Sequence, residues 1–276
     1  MDKTIIPFVK WAGGKRQLLE HIARLMPKHY GDYYEPFIGG GAVFMHFQPQ
    51  TAHLNDINRA LINCYEQIRD DYSAVLEKLD QLDNSVAVGG KDFYYMVRDD
   101  FNDRMMREAY DSELATEFIF LNKHCFNGLY RVNHHGRFNV PYNGSIRRSY
   151  DRGNIERLAY LLRQVDISCC DFEQSVAGAS TGDFIFFDSP YAPLNPTSFE
   201  NYTKDGFDKE SHIRLATLFK SLTDKGCYCM LTNHNTEFIH ELYDGFNCKV
   251  VAVKRMINRD ARHRVSEEVI ITNYKR

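Results

Sequence analysis

The sequence predicts an α/β protein: a doubly wound, mostly parallel sheet interrupted by a mainly helical insert. Three observations predict it. Strand-like apolar runs alternate with helical stretches near the start of the chain and again from about residue 151 onward. Asp32-Tyr33-Tyr34-Glu35-Pro36-Phe37 runs into the glycine turn Ile38-Gly39-Gly40-Gly41 and then into apolar Ala42-Val43-Phe44-Met45, the opening of a βαβ unit. Between the two alternating regions, about Asp70 to Asn122, the pattern is helical and charged, and strand-like runs are scarce. The expected division is residues 1–56 with 151–276 for the sheet domain, and 57–150 for the insert.

The elements follow in order. Arg16 to Met26 places Leu18, Leu19, Ile22, Leu25 and Met26 at helical spacing and is stopped by Pro27. After the glycine turn, Thr51 to Leu54 reads as a short strand ending at Asn55-Asp56. Ile57, Leu61, Ile62, Tyr65 and Ile68 then share one helical face. Gly89-Gly90 is the clear break in the helical stretch. Asn122 to Tyr150 is polar, aromatic and glycine-bearing, with weak periodicity, and irregular segments of that length usually carry function. The rhythm resumes with a helix over Ile155 to Val165, a strand over Asp166 to Cys170 and a buried strand at Phe184-Ile185-Phe186-Phe187. A helix over Ser211 to Leu222, a strand over Cys227 to Leu231 and a helix over Thr236 to Tyr243 follow. Closing strands are expected at Lys249 to Val253 and Val269 to Thr272. A sheet of this kind takes its ligand in the crevice at the carboxyl ends of its strands.

At 276 residues, 43% hydrophobic and 26% charged, the chain has the composition of a globular protein and lacks an apolar run long enough to span a membrane. The N-terminus does not read as a secretory signal. Seven cysteines without a CxxC pair argue against a disulfide framework and a four-cysteine zinc site, so a reduced, cytoplasmic protein without a metal is expected. Cys169, Cys170, Cys227 and Cys229 fall in expected strands and read as core filling. His134-His135 reads as a solvent-facing pair beside a basic loop, since adjacent histidines do not easily chelate one metal.

The net charge of −3 does not by itself announce a nucleic-acid partner, but its distribution does more. Cys64 to Phe118 is strongly acidic. Lys123, Arg131, Arg137, Arg147, Arg148 and Arg152 then face only Asp151, and Lys249, Lys254, Arg255, Arg259, Arg262 and Arg264 face only Asp260. Either run alone reads as a solvated face; two runs, one interleaved with aromatics, read equally as a solvated face or as a local phosphate-binding surface.

Two motifs carry chemistry. The Gly39-Gly40-Gly41 turn lets a ligand approach the backbone, and Asp56, ending the next strand, is placed to accept hydrogen bonds from a ribose diol. Phe44 stands where the dinucleotide fingerprint needs a glycine, so a nucleoside without a pyrophosphate, S-adenosylmethionine above all, fits better than NAD. The plainer reading is a tight turn with a surface aspartate. The second motif, Asp188-Ser189-Pro190-Tyr191, directly follows the apolar strand. It reads either as a capped turn or as a place where a carboxylate and a carbonyl accept both N–H bonds of an exocyclic amine. Such bonds would stabilise the positive charge that grows on the nitrogen as it is methylated, while Tyr191 offers a stacking face.

These motifs, with Lys10-Trp11-Ala12-Gly13-Gly14-Lys15, Asn55-Asp56-Ile57-Asn58, Phe126-Asn127-Gly128-Leu129-Tyr130-Arg131 and Phe138-Asn139-Val140-Pro141-Tyr142, occur in the order seen in the Dam family. These are DNA adenine-N6 methyltransferases acting on GATC, and the chain resembles them from Phe8 to Tyr274. Within the family it is most similar to the modification methylases of DpnII-type restriction–modification systems. The resemblance implies a Rossmann-like methyltransferase fold with an inserted DNA-recognition domain, S-adenosyl-L-methionine as cofactor and base flipping in duplex DNA. Trp11, Lys15, Phe37, Gly39, Gly40, Gly41, Asp56, Ile57, Asp171, Phe172 and Asp188 would hold the cofactor. Asp188, the carbonyl of Ser189, Pro190 and Tyr191 would hold the adenine.

On the DNA side the resemblance gives Lys10 a base edge and Arg131 a guanine, for which a guanidinium fork is apt. Phe126 would wedge into the stack, steadied by Asn127 and Leu129. Asn139 and Pro141 belong to the same recognition segment, and Lys123, Arg137, Arg147 and Arg148 suit phosphates. A bacterial or phage-encoded cytoplasmic enzyme working as a monomer is implied, with room for a cognate restriction endonuclease. The chain departs from the family at Ser189, where a second proline is usual; only the carbonyl is needed there, and a looser turn costs about 1 kcal/mol, or about fivefold in rate. It departs again at Asn143-Gly144, where some relatives carry a basic residue. The alternatives are a methyltransferase for another amine, in RNA or on a protein glutamine, and a DNA-binding module whose catalysis has decayed.

Overall fold

Seven strands form a single sheet in the order β3-β2-β1-β4-β5-β7-β6. The computed structural model describes residues 4–194, 207–254 and 265–275. The strands are β1 (Tyr33–Glu35), β2 (Ala52–Asn55), β3 (Val165–Ser168), β4 (Phe184–Phe187), β5 (Tyr228–His234), β6 (Asn247–Lys254) and β7 (Val265–Thr272). β1 pairs in parallel with β2 and β4, and β4 in parallel with β5; β7 runs antiparallel between β5 and β6. The order reverses between β1 and β4, the switch point at which an open α/β sheet opens its crevice. The glycine turn follows β1, Asp56 follows β2 and Asp188 follows β4, so each leaves the sheet at a carboxyl end.

The helices are α1 (Leu19–Leu25), α2 (Ala42–Phe47), α3 (Arg59–Met106), α4 (Ser112–His124), α5 (Arg152–Leu162), α6 (Phe172–Ser175), α7 (Lys209–Asp224) and α8 (Glu237–Leu242). None is long and apolar enough to cross a membrane among the described residues. The chain folds into two compact units, one of Met1–Gly14, Gly39–Gln48 and Asp56–Cys169, the other of Lys15–Ile38, Pro49–Asn55 and Cys170–Arg276.

In the second unit, Ile185 and Phe187 of β4, Cys229 and Leu231 of β5, and Val269 and Ile271 of β7 pack against Leu215, Ala216, Phe219 and Leu222 of α7 and Ile239 of α8. The alternate residues Phe184, Phe186, Met230 and Ile270 are equally buried, so both faces of these strands are covered, which is why they read as unbroken apolar runs. β1 stops at Glu35 because Pro36 has no N–H to give the ladder.

In the first unit α3 bends twice. Gly90 has φ +52, the break expected at the glycine pair, and Asp71 (φ −151, ψ 71) adds a second, its carboxylate capping the next turn through the Ala74 N–H at 3.0 Å. The irregular segment after α4 is strapped to α3. Asn102 exchanges two hydrogen bonds with the Phe138 backbone, the Tyr94 hydroxyl donates to the Val140 carbonyl, and buried Asp83 accepts from the Ser149 N–H and hydroxyl.

Two expectations shift. Cys169 and Cys170 lie beyond the end of β3 and are half-buried, because the strand stops at Ser168; Cys227 and Cys229 are buried as core. Of the second cationic cluster, Arg255, Arg259, Arg262 and Arg264 lie outside the described residues.

Candidate active site

Asp188 emerges from a strand buried along its whole length, and its surroundings build the site. One oxygen, Oδ1, takes the Lys15 ammonium at 2.7 Å and the Thr232 hydroxyl at 2.8 Å; the side chain is 19% exposed. The same ammonium lies 4.5 Å from the centre of the Tyr191 ring. Burial pushes the Asp188 carboxyl up, opposed by Lys15 and then Thr232. The end of β5 clamps the rest of the turn. Asn233 accepts the Ala192 N–H at 2.8 Å, and the His234 Nδ1–H donates to the Ala192 carbonyl at 2.7 Å. The Tyr191 hydroxyl donates to Glu268 of β7 at 2.9 Å. Ser189 is buried, and its hydroxyl has no hydrogen-bond partner among the described residues, whereas Pro190 is exposed.

In the same unit Phe37 packs on Phe172, ring centres 5.4 Å apart. Asp171 caps α6 through the Glu173 N–H and pairs with Arg214 at 2.9 Å.

In the other unit Asp56 organises the glycine turn. Its two oxygens accept the N–H groups of Gly39 at 3.0 Å and Asn58 at 2.9 Å, while Ile57 between them is exposed. Gly39 has φ +47 and lies against Trp11 so closely that a Cβ would sit 2.7 Å from the indole; Gly41, at φ +72, starts α2. Trp11 is stacked with Tyr130 at 5.7 Å and Phe118 at 6.2 Å, and the Tyr65 hydroxyl donates to the Gly39 carbonyl.

The irregular segment after α4 exposes several apolar side chains. Phe126 opens a short 3-10 turn with 54% of its surface exposed; Asn127 follows at φ +58, and Leu129 is exposed too. The Pro141 carbonyl anchors the Phe126 N–H at 2.8 Å. Arg131 bonds Asn139 through Nε at 2.8 Å, which leaves the bidentate edge of its terminal amino groups out of that bond. Buried Asn122 holds Lys10 by both its N–H and its carbonyl and also bonds the Gly128 carbonyl, joining the start of the chain to the Phe126 turn. The cationic run is not uniform. Arg137 pairs with Asp103, and Arg148 and Arg152 with Asp80, all acids of α3, whereas Arg147 has no acidic partner among the described residues. Lys123 is half-buried on α4.

Residues 11–257 match the pattern of D12 class N6 adenine-specific DNA methyltransferases. The chain belongs to that family. It is 41% identical to the Type II methyltransferase M.MjaIII of Methanocaldococcus jannaschii over 97% of its length and 99% of that protein. It is also 41% identical to the Type II methyltransferase M1.LlaDCHI of Lactococcus lactis subsp. cremoris (97% and 95%), and 30% identical to the DNA adenine methylase of Escherichia coli K12 (97% and 95%). The methyltransferase therefore transfers a methyl group to N6 of adenine in DNA, and its α/β fold is the one that activity implies.

Sequence reasoning missed three contacts in this methyltransferase. Thr232 and Glu268 touch the Asp188–Tyr191 turn from strands 44 and 77 residues away. Asn122 sits in a helix whose pattern gave it no special weight. A polar residue at the carboxyl end of β5 was the available signal for Thr232; nothing local marks Glu268.

Proposed function

We propose that the methyl donor is S-adenosylmethionine and that the acceptor is an adenine rotated out of duplex DNA, within GATC. The Lys15 ammonium, shared by Asp188 and the Tyr191 ring, carries the reading: this turn already receives a positively charged nitrogen. A methylated amine becomes one in the transition state, and a donor sulfonium is a cation as well, so the residues fit both groups. The donor supplies an electrophilic methyl group; the protein's work is to hold the acceptor.

Asp188 would accept one N6–H and the Ser189 carbonyl the other, drawing the lone pair out of the ring, while Tyr191 covers the base. Lys15 gives up the carboxylate as the amine arrives. The second lone pairs of the Asp56 oxygens suit the ribose of the donor, with the Gly39 turn, Trp11, Phe37, Asp171 and Phe172 as further cofactor residues. Residues 57–150 would read the target. Lys10 and Arg131 meet base edges and Phe126 fills the gap left by the flipped base, while Arg147 holds phosphate. The enzyme would act as a monomer in the cytoplasm of a bacterial or phage-infected cell, alongside a cognate endonuclease where one is encoded.

Plasmid recovered from cells expressing the protein should resist an endonuclease blocked by GATC methylation. Complete cutting, with methyl-adenine present in another sequence, would overturn the GATC assignment and leave the chemistry standing.

A further inference from the structure

The Asp188–Tyr191 turn is fastened from β7 by a residue that no motif announced. Glu268 is half-buried and faces His234 of β5 in register. Its Oε2 accepts the Tyr191 hydroxyl at 2.9 Å, and His234 packs edge-on against the same ring, centres 4.9 Å apart at 77°. The ring is thus held by its hydroxyl and by a neighbouring imidazole while its face meets the Lys15 ammonium at 4.5 Å.

A hydroxyl that donates to a carboxylate leaves more electron density on the phenol, and a more negative ring face attracts a cation more strongly. Burial, with Asp188 and Glu268 adding to it, keeps the hydroxyl protonated, so the ring stays a neutral phenol with a charge-assisted hydrogen bond.

We propose that Glu268 is a positioning residue for methyl transfer. Through the Tyr191 hydroxyl it fixes the ring over the reacting nitrogen and strengthens the ring's attraction for the charge that grows there. This rests on Asp188–Tyr191 being the reaction centre. In the transfer, the N6 lone pair forms the new N–CH3 bond, the S–CH3 bond breaks with its pair left on sulfur, and the N6 proton departs to solvent. Glu268 takes no proton from the reaction.

The test is steady-state methylation of duplex DNA by Glu268→Gln, Tyr191→Phe and the double variant, with Asp188→Ala as reference. Glu268→Gln should lower kcat about fivefold and leave KM for DNA within about twofold. Tyr191→Phe should lose a similar factor, and the double variant should be no slower than Tyr191→Phe, because the hydroxyl through which Glu268 acts is then gone. Undiminished kcat in Glu268→Gln, a loss confined to KM, or an equal further loss in the Tyr191→Phe background would overturn the proposal. If Glu268→Gln does not fold, Tyr191→Phe decides alone: full kcat overturns, and a loss of about fivefold with unchanged KM supports. An active Asp188→Ala would instead remove the reaction centre on which the proposal stands.

Discussion

At Asp188, burial and charge pull in opposite directions. Withdrawal from water raises the carboxyl above its ordinary value, and the Lys15 ammonium at 2.7 Å works against it. If turnover uses the carboxylate, as proposed, activity is lost as pH falls through that raised value, and removing the opposing cation raises it further. The acid limb of the kcat/KM profile, which reports the free enzyme, should therefore move to higher pH in Lys15→Gln, measured by initial rates at low DNA concentration across the acidic range; a limb that moves down or stays would show that Lys15 does not hold the carboxylate. Asp188 and Tyr191 were legible in the sequence because they sit together after an apolar strand. Thr232 and Glu268, which hold them, were not, since only the sheet brings β5 and β7 to that turn.

At the scale of elements, the strands declared themselves wherever both faces are buried, as in Phe184–Phe187. β6 and β7 were expected shorter than they are, because Asn247, Cys248 and Ser266-Glu267-Glu268 interrupt the apolar pattern that marks a strand. α6, a single turn capped by Asp171, is too short for periodicity to show. The break at Gly90 was legible as a glycine pair, and the one at Asp71 was hidden inside a charged helical run. The segment proposed to read DNA carries its own prediction. Gly128 has φ +66, and a Cβ there would run into the Lys10 side chain, as close as 2.7 Å to its Cβ, so Gly128→Ala combines a left-handed backbone with a collision. The cost is about 1–3 kcal/mol. Thermal melting should show a lowered Tm, and DNA binding should weaken along with it; an unchanged Tm would mean that the turn relaxes freely.

For the whole molecule, a net charge of −3 leaves DNA binding to local cations, and α3 has already neutralised some of these. Arg147, without an acidic partner among the described residues, should contribute a full phosphate contact. Arg147→Ala is expected to flatten the slope of log K against log salt by about 0.9, and Arg148→Ala, whose parent is paired with Asp80, by clearly less. Equal slopes for the two variants in titrations at several salt concentrations would contradict that division of labour.

In the proposed reaction the carboxylate of Asp188 holds the amine that is methylated. The most direct test of that role is single-molecule sequencing of DNA from cells producing either the parent protein or Asp188→Ala, with thermal melting to establish that both are folded. The parent should leave N6-methyladenine at one recurrent sequence, and the variant should lose at least about a hundredfold in transfer rate and leave that sequence unmarked. Full marking by folded Asp188→Ala would rule out that role for the carboxylate.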